Sequence, residues 1–393
     1  MEDVSVGAHG YRQTWNIAWS CSIAALTRGT VFVPNSGQQT ESSVVVQRHN
    51  IMMSIMLNRP GVLNSLNTEM IRLVQMALDE AEGDDHIGFV VLRGAGEKSF
   101  CAGGDLKMLA RAAQSSQLEE AFQFFDEEYA LDLRIYRFPK PVIVLADGIT
   151  MGGGLGISAG ADAIVATERT RMAMPESRIG IFPDVGATGW LFAKCPEGYP
   201  EFLALSGYES VGAECVRLGL ATHLCPSDRL PDLLRGLEDY SESCPPERGS
   251  AARHILSHVS AFFSTEGFRD PEMDQWVRTC FHAQDSMAQI TANLSACSSQ
   301  REFCTAFLRQ LGERSPTSLV LTLHLLRHNQ GRSMAQVFAV DARAARFMVS
   351  HHDFMEGVRA RILEKDDNPR WQPPRIADVD LSPELPRIFG TGL

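Results

Sequence analysis

The sequence predicts an α/β fold whose successive strand-helix turns stack on one another, followed by a region built only of helices. Three observations carry this. Short apolar runs of strand length alternate with helical patterns as far as about residue 225. Two of the strands run straight into glycine-rich starts of helices, at 99–109 and 149–160. Beyond 225 the strand signals stop and 3.6-residue periodicity takes over.

Taken in order, VVVQRHNIMMSIMLN reads as two β segments around a polar turn, Arg48 to Asn50, closed by Pro60 and Gly61. TEMIRLVQMALDEAEG puts Met70, Leu73, Val74, Ala77, Leu78 and Ala81 on one helical face, with Asn67 or Thr68 as cap and Gly83 as stop. FVVLRG is a short buried strand. LEEAFQFFDEEYALDLRIYRF is a long helix bounded by Pro139, and PVIVLADG and DAIVAT are two further strands. Later helices are expected at 251–263, 273–280, 301–311, 318–328, 334–349 and 354–363, before a Pro-rich tail from Asp366. The resulting organisation is an extension over 1–42, an α/β core over 43–235, a helical region over 236–372 and an irregular tail over 373–393.

A chain of 393 residues that is 44% hydrophobic can bury a substantial core. Its net charge of −12 argues against a nucleic-acid-binding face but leaves room for a local basic pocket for one phosphorylated ligand. Nine scattered cysteines without a CxxC suggest reduced thiols in an intracellular compartment. No apolar run is long enough for a membrane helix, so neither a membrane nor a nucleic acid is expected as partner. Between Asp3 and Glu41 there is no acid, while Arg12, Arg28 and hydroxyl residues are interspersed with apolar ones, as in a mitochondrial presequence; the acidic start MED departs from that pattern.

Free N–H groups at a helix start point toward negative charge, so the turns at 99–109 and 149–160 can aim two donors at one oxygen; alternatively their glycines only permit tight packing. The second turn also contains a G-x-S-x-G match at Gly156 to Gly160 and a loose dinucleotide match at Gly154 to Ala159. Both lack the required strand-turn-helix context. His254 with His258, and His324 with His328, have helical spacing but no third ligand, and no metal is predicted. In AMPESRIGIFPDVG, Glu176 and Asp184 sit among apolar residues. They are compatible with a capped turn and an Arg178 ion pair, or with carboxyls whose pKa is raised for acid/base work.

The runs LNRPGVLNSLNTEMI, FCAGGDLKML and DGITMGGGLGISAGADAIVATERTRMAMPESRIGIFPDVGATGWL resemble the enoyl-CoA hydratase/isomerase, or crotonase, superfamily. SPTSL and DFMEGVRARILEKDDNPRW extend the likeness to about residue 372 and point to its thioester-hydrolase branch. The resemblance implies a crotonase-like spiral of repeated ββα units. It implies that Gly104 and Gly153 are the oxyanion-hole donors, Glu176 and Asp184 the catalytic acids, and Glu128 a substrate-binding acid reaching a 3-hydroxyl, with Gly153, Glu176 and Asp184 also holding substrate. Hydratases of the superfamily carry a second glutamate where this chain has Gly156, which disfavours addition of water to a double bond. The expectation is hydrolysis of a short branched 3-hydroxyacyl-CoA, 3-hydroxyisobutyryl-CoA first, as in valine catabolism. CoA arrives as part of the substrate and no separate cofactor is expected. A hydratase or isomerase with altered acids and an idle CoA-binding scaffold are the rival readings. Whether the helical half covers the site, makes a homo-oligomer, or both, the sequence leaves open.

Overall fold

In the computed structural model, residues 42–114, 118–243, 252–264, 269–298 and 300–390 are described, so the expectation for the N-terminal extension falls almost wholly outside them. Val44–His49 (β1) and Met52–Leu57 (β2) pair antiparallel around the polar turn. β1 alternates buried and open positions, as an edge strand should, whereas β2 is apolar on both faces because it is covered on both. Parallel to β2 lie Phe89–Gly94 (β3), then the fifth strand described below, in a large six-stranded sheet.

After β3 the chain repeats one unit three times. Each turn contributes a strand to the large sheet, then a short strand to a second sheet, then a helix or helical turn. β3 is followed by Ser99–Cys101 (β4) and the Leu106–Gln114 helix. Val142–Ala146 (β5) is followed by Ile149–Met151 (β6) and the Gly153–Ala159 helix. Ala163–Ala166 (β7) is followed by Arg171–Ala173 (β8) and the 3-10 turn Glu176–Ile179. Ser210–Val211 (β9) and His223–Leu224 (β10) complete sheets ordered β1-β2-β3-β5-β7-β10 and β4-β6-β8-β9. This is the stacked ββα spiral that the sequence predicts.

The small sheet positions the site. β4, β6 and β8 are parallel neighbours, so the residues that leave their carboxyl ends lie side by side, about 4.8 Å per strand step. Those residues are Gly104, Gly153 and Glu176.

The helices expected beyond 225 are present, from Ala252–His258 through Pro271–Phe281, Arg301–Gly312, Pro316–Asn329 and Met334–Val349 to His352–Val358. Several readings change in detail: Leu230–Ser243 is a helix that was not expected, and the helix expected over 251–263 ends at His258 and is followed by a 3-10 turn at Ser260–Phe262. Residues 359–363 widen into a π turn instead of continuing the α-helix. A helix at Met287–Ala296, not expected from its mixed composition, is started by a capping box in which Ser286 and Gln289 satisfy each other's backbone N–H. The tail, expected to be irregular, carries two short helical turns, Ile376–Asp378 and Leu385–Phe389.

The helical region shares one apolar core with the spiral. Met334–Val349 packs along Leu118–Tyr136, and Phe202 gathers Trp276, Phe281 and Phe307 at ring separations of 5.6, 5.3 and 5.7 Å. The opposite face of the large sheet is covered by Leu230–Ser243 and Ala252–His258, through Leu233, Leu237 and Ile255.

Candidate active site

The glycines of the first two spiral turns meet. Gly103 has φ +95° and Gly152 φ +51°, values open to glycine and costly for other residues. A Cβ on Gly103 would lie 3.5 Å from the Gly153 nitrogen, and one on Gly152 would lie 2.8 Å from Glu176 Oε1. Side chains at either position would therefore close the space between the turns. The N–H groups of Gly104 and Gly153 are taken up by no backbone or side-chain acceptor among the described residues. Two unspent donors at adjacent helix starts can stabilise one developing oxyanion.

Facing them is a cavity of about 290 Å3, lined by Gly104, Gly153, Glu128, Glu176 and Asp184 together with Leu109, Phe124, Phe125, Ile181 and Phe354. All five site residues that the resemblance implies are thus brought to one cavity. Arg178, Arg361 and Asp367 also line it. Burial pushes the nearby Arg314, itself outside the cavity wall, down to about 9, with Arg178 and Arg361 adding repulsion, and Arg361 is ion-paired to Asp367 at 2.5 Å.

The acids sit in a low-dielectric environment. Glu128 is 2% exposed, Asp132 1%, Glu176 8%, Asp184 5% and Asp341 0%. Burial first, then the charge of Asp184, raises Glu176 well above the usual carboxylate range, and the same two causes raise Glu128. Asp184 is pushed up to about 6 by burial, while the Tyr129 hydroxyl, donating to its Oδ2 at 2.7 Å, acts in the opposite direction. Asp184 is therefore the acid best supplied to remain an anion near neutral pH. Among the described residues Glu176 Oε2 has no hydrogen-bond partner, and the charges that act on Arg178 are those of Arg361, Asp367 and Glu313 rather than Glu176. The ion-pair reading of that residue is set aside.

The Glu176 turn is gripped from outside the spiral. The Ser315 N–H donates to the Ser177 carbonyl at 3.2 Å. Gly180, at φ +76°, lies against the Asp353 carbonyl, and Gly357 packs on the backbone of Ile179. Asp353 in turn accepts from the Ser315 hydroxyl at 2.5 Å and from the Gln372 N–H at 2.8 Å.

Gly156 has no room for a side chain. A Cβ there would stand 2.7 Å from Asp132 Oδ2 and 2.7 Å from Val185 Cβ. Ser158 of the G-x-S-x-G match is buried near the end of the Gly153–Ala159 helix and donates to the Leu155 carbonyl at 3.0 Å, so it is no nucleophile elbow; the loose dinucleotide match lies inside the same helix. His328 stacks on Phe389 at 3.9 Å. Among the described residues no three His, Cys, Asp or Glu side chains are arranged to share a metal ion.

Sequence reasoning missed Tyr129, Asp132 and Asp341. For the two aspartates the signal was present: Glu128 and Asp132 interrupt the buried stripe Ala121, Phe124, Phe125, Leu131, Ile135, and Asp341 interrupts Val337, Phe338, Ala344, Met348.

Residues 52–384 match the model of the enoyl-CoA hydratase/isomerase family. The mitochondrial 3-hydroxyisobutyryl-CoA hydrolase of Gallus gallus is 36% identical over 340 residues, covering 86% of this chain and 86% of that protein. Its Homo sapiens counterpart is 32% identical over 372 residues, 94% and 95% of the two chains. Among solved structures, a carnitinyl-CoA dehydratase from Mycobacterium thermoresistibile superimposes with a TM-score of 0.79 at 30% identity, covering 89% of this chain and 96% of that one. An enoyl-CoA hydratase from Rhodobacter sphaeroides 2.4.1 gives 0.77 at 30% identity, covering 88% and 97%.

Proposed function

The chain belongs to the enoyl-CoA hydratase/isomerase family, and from that footing we propose that it is a thioester hydrolase converting 3-hydroxyisobutyryl-CoA and water to 3-hydroxyisobutyrate and CoA, in valine catabolism. The relatives named above carry this activity in their names. One observation favours hydrolysis over the dehydration and hydration named for the two solved structures. Glu176 and Asp184 face the free N–H groups of Gly104 and Gly153, while the position of a second glutamate is Gly156, whose side-chain space is filled by Asp132 and Val185.

The thioester carbonyl oxygen binds between the Gly104 and Gly153 N–H groups, each worth about 3–4 kcal/mol to a developing oxyanion by analogy with other acyl-transfer sites. Glu176 either attacks the carbonyl carbon, so that the C–S bond breaks, CoA leaves as its thiolate and water then opens the acyl-enzyme anhydride, or takes a proton from a water that attacks the same carbon and expels the thiolate directly. Asp184, anchored by Tyr129, positions that water and handles its proton. Glu128 accepts from the 3-hydroxyl of the acyl group. Arg178 and Arg361 supply the cationic rim that a phosphate-bearing CoA needs in a chain of charge −12. Single-turnover hydrolysis in heavy-oxygen water separates the two routes: label in Glu176 marks the anhydride.

The relatives' names support a mitochondrial location, with the matrix as the compartment where residues 1–42 would direct the chain. A panel of acyl-CoAs tests the assignment. Free thiol should appear fastest with 3-hydroxyisobutyryl-CoA. Conversion of enoyl-CoA to hydroxyacyl-CoA without thiol would instead identify a hydratase, and stabilisation by CoA without any turnover would identify a scaffold.

A further inference from the structure

Asp132 lies one helical turn beyond Glu128 on the Leu118–Tyr136 helix, the spacing at which two side chains become neighbours. It is 1% exposed and does not line the cavity. Among the described residues neither of its carboxyl oxygens has a hydrogen-bond partner, and Glu128 Oε1 also lacks one. Asp132 Oδ2 is directed at Gly156, filling the space where a side chain would begin. The titratable groups that act on it are Glu128 on its own helix, Cys101 on β4, Asp184 in the turn before Ala187–Lys194, and Asp341 on Met334–Val349. Every one is an acid, and among the described residues no cation acts on it. An ionised carboxylate with neither a donor nor a counter-charge is too costly to bury, and two adjacent unpartnered carboxyls resolve that cost by sharing a proton.

We propose that Asp132 is a positioning residue that stays a neutral carboxylic acid beneath Glu128, donating to its inner oxygen and holding it as an acceptor for the substrate's 3-hydroxyl. The inference rests on the functional reading above and deepens it, because it makes recognition of the hydroxyl depend on a residue outside the cavity. It also accounts for Gly156: any side chain there would displace the acid that supports Glu128. Burial, then repulsion from Glu128, Asp184 and Asp341, raises Asp132 well above the usual range, in agreement with the geometry.

The test compares the full-length protein with Asp132→Asn, which keeps shape and donor without charge, and Asp132→Leu, which keeps only bulk. With 3-hydroxyisobutyryl-CoA, Asp132→Asn should stay within about 3-fold of wild type, while Asp132→Leu should lose about 10- to 100-fold in kcat/KM. With isobutyryl-CoA, which lacks the hydroxyl, both variants should match wild type. Loss in Asp132→Asn as deep as in Asp132→Leu, or equal loss in Asp132→Leu on both thioesters, overturns the proposal.

Thermal unfolding gives a readout independent of turnover. An acid held neutral in the fold but ionised when unfolded lowers stability as pH rises above about 4. Asp132→Asn should therefore gain Tm over wild type at pH 8 and gain less at pH 5.5. A Tm difference unchanged between the two pH values overturns the neutral acid even if wild type cleaves no thioester, an outcome that would refute the functional reading separately.

Discussion

At the scale of single residues, the account turns on two acids with different surroundings. Glu176 has one oxygen against Gly152 and the other without a partner, so Glu176→Gln should bind CoA thioesters as wild type does and lose turnover by about 100- to 10,000-fold. Steady-state kinetics alongside CoA binding checks this. Asp184 is kept from rising further than about 6 by the Tyr129 hydroxyl. Removing that donor in Tyr129→Phe raises the Asp184 pKa, so a higher pH is needed to ionise it. The acid limb of the kcat/KM profile should move upward, with a loss of about 10-fold at pH 6 that narrows by pH 8. Glu176 and Asp184 were legible in the sequence because both acids stand among Pro, Gly, Ile and Phe with no regular element to hide them. Tyr129 was not legible. A tyrosine on an apolar helical face reads as core, and only the fold brings it across 55 positions to Asp184.

At the scale of elements, the small sheet and the helical region act together on one turn. β4, β6 and β8 deliver Gly104, Gly153 and Glu176 to one place, and the His352–Val358 helix holds the Glu176–Ile179 turn from the far side. Gly180→Ala combines a left-handed φ of +76° with a clash against the Asp353 backbone, and should destabilise by about 1–3 kcal/mol while lowering thioesterase activity. Denaturant unfolding and thiol release measure the two effects; a stable and fully active variant would show that the grip is unnecessary. The long elements were readable because their periodicity is strong, as in Met334–Val349, whose ends fall where the pattern predicts. Met287–Ala296 was not, since its residues MAQITANLSA have little amphipathic contrast and its start depends on the reciprocal bonds of Ser286 and Gln289. The three-residue strands of the small sheet are also too short to carry an alternation of their own.

At the scale of the whole molecule, a chain that is acidic overall brings two arginines, Arg178 and Arg361, to a cavity otherwise lined by the acids Glu128, Glu176, Asp184 and Asp367. Arg178→Ala and Arg361→Ala should each raise KM for CoA thioesters several-fold with little change in kcat, and the KM of wild type should rise with ionic strength. The ββα spiral and a helical second half were legible, because alternation of strands with helices survives at low resolution of boundary. The sharing of one core by both halves was not, since it arises from contacts such as Phe202 with Trp276, Phe281 and Phe307, which no local pattern specifies. For the same reason the sequence left open what the helical region does, and the structure answers that it supplies Phe354, Arg361 and Asp367 to the cavity wall. The central claim, that Glu176 and Asp184 cleave a thioester held at the Gly104 and Gly153 N–H groups, meets its most direct test in release of free CoA thiol from 3-hydroxyisobutyryl-CoA by wild type, Glu176→Gln and Asp184→Asn. The account predicts steady release by wild type and loss of about 100-fold or more in both variants. Release by Glu176→Gln at the wild-type rate would contradict it.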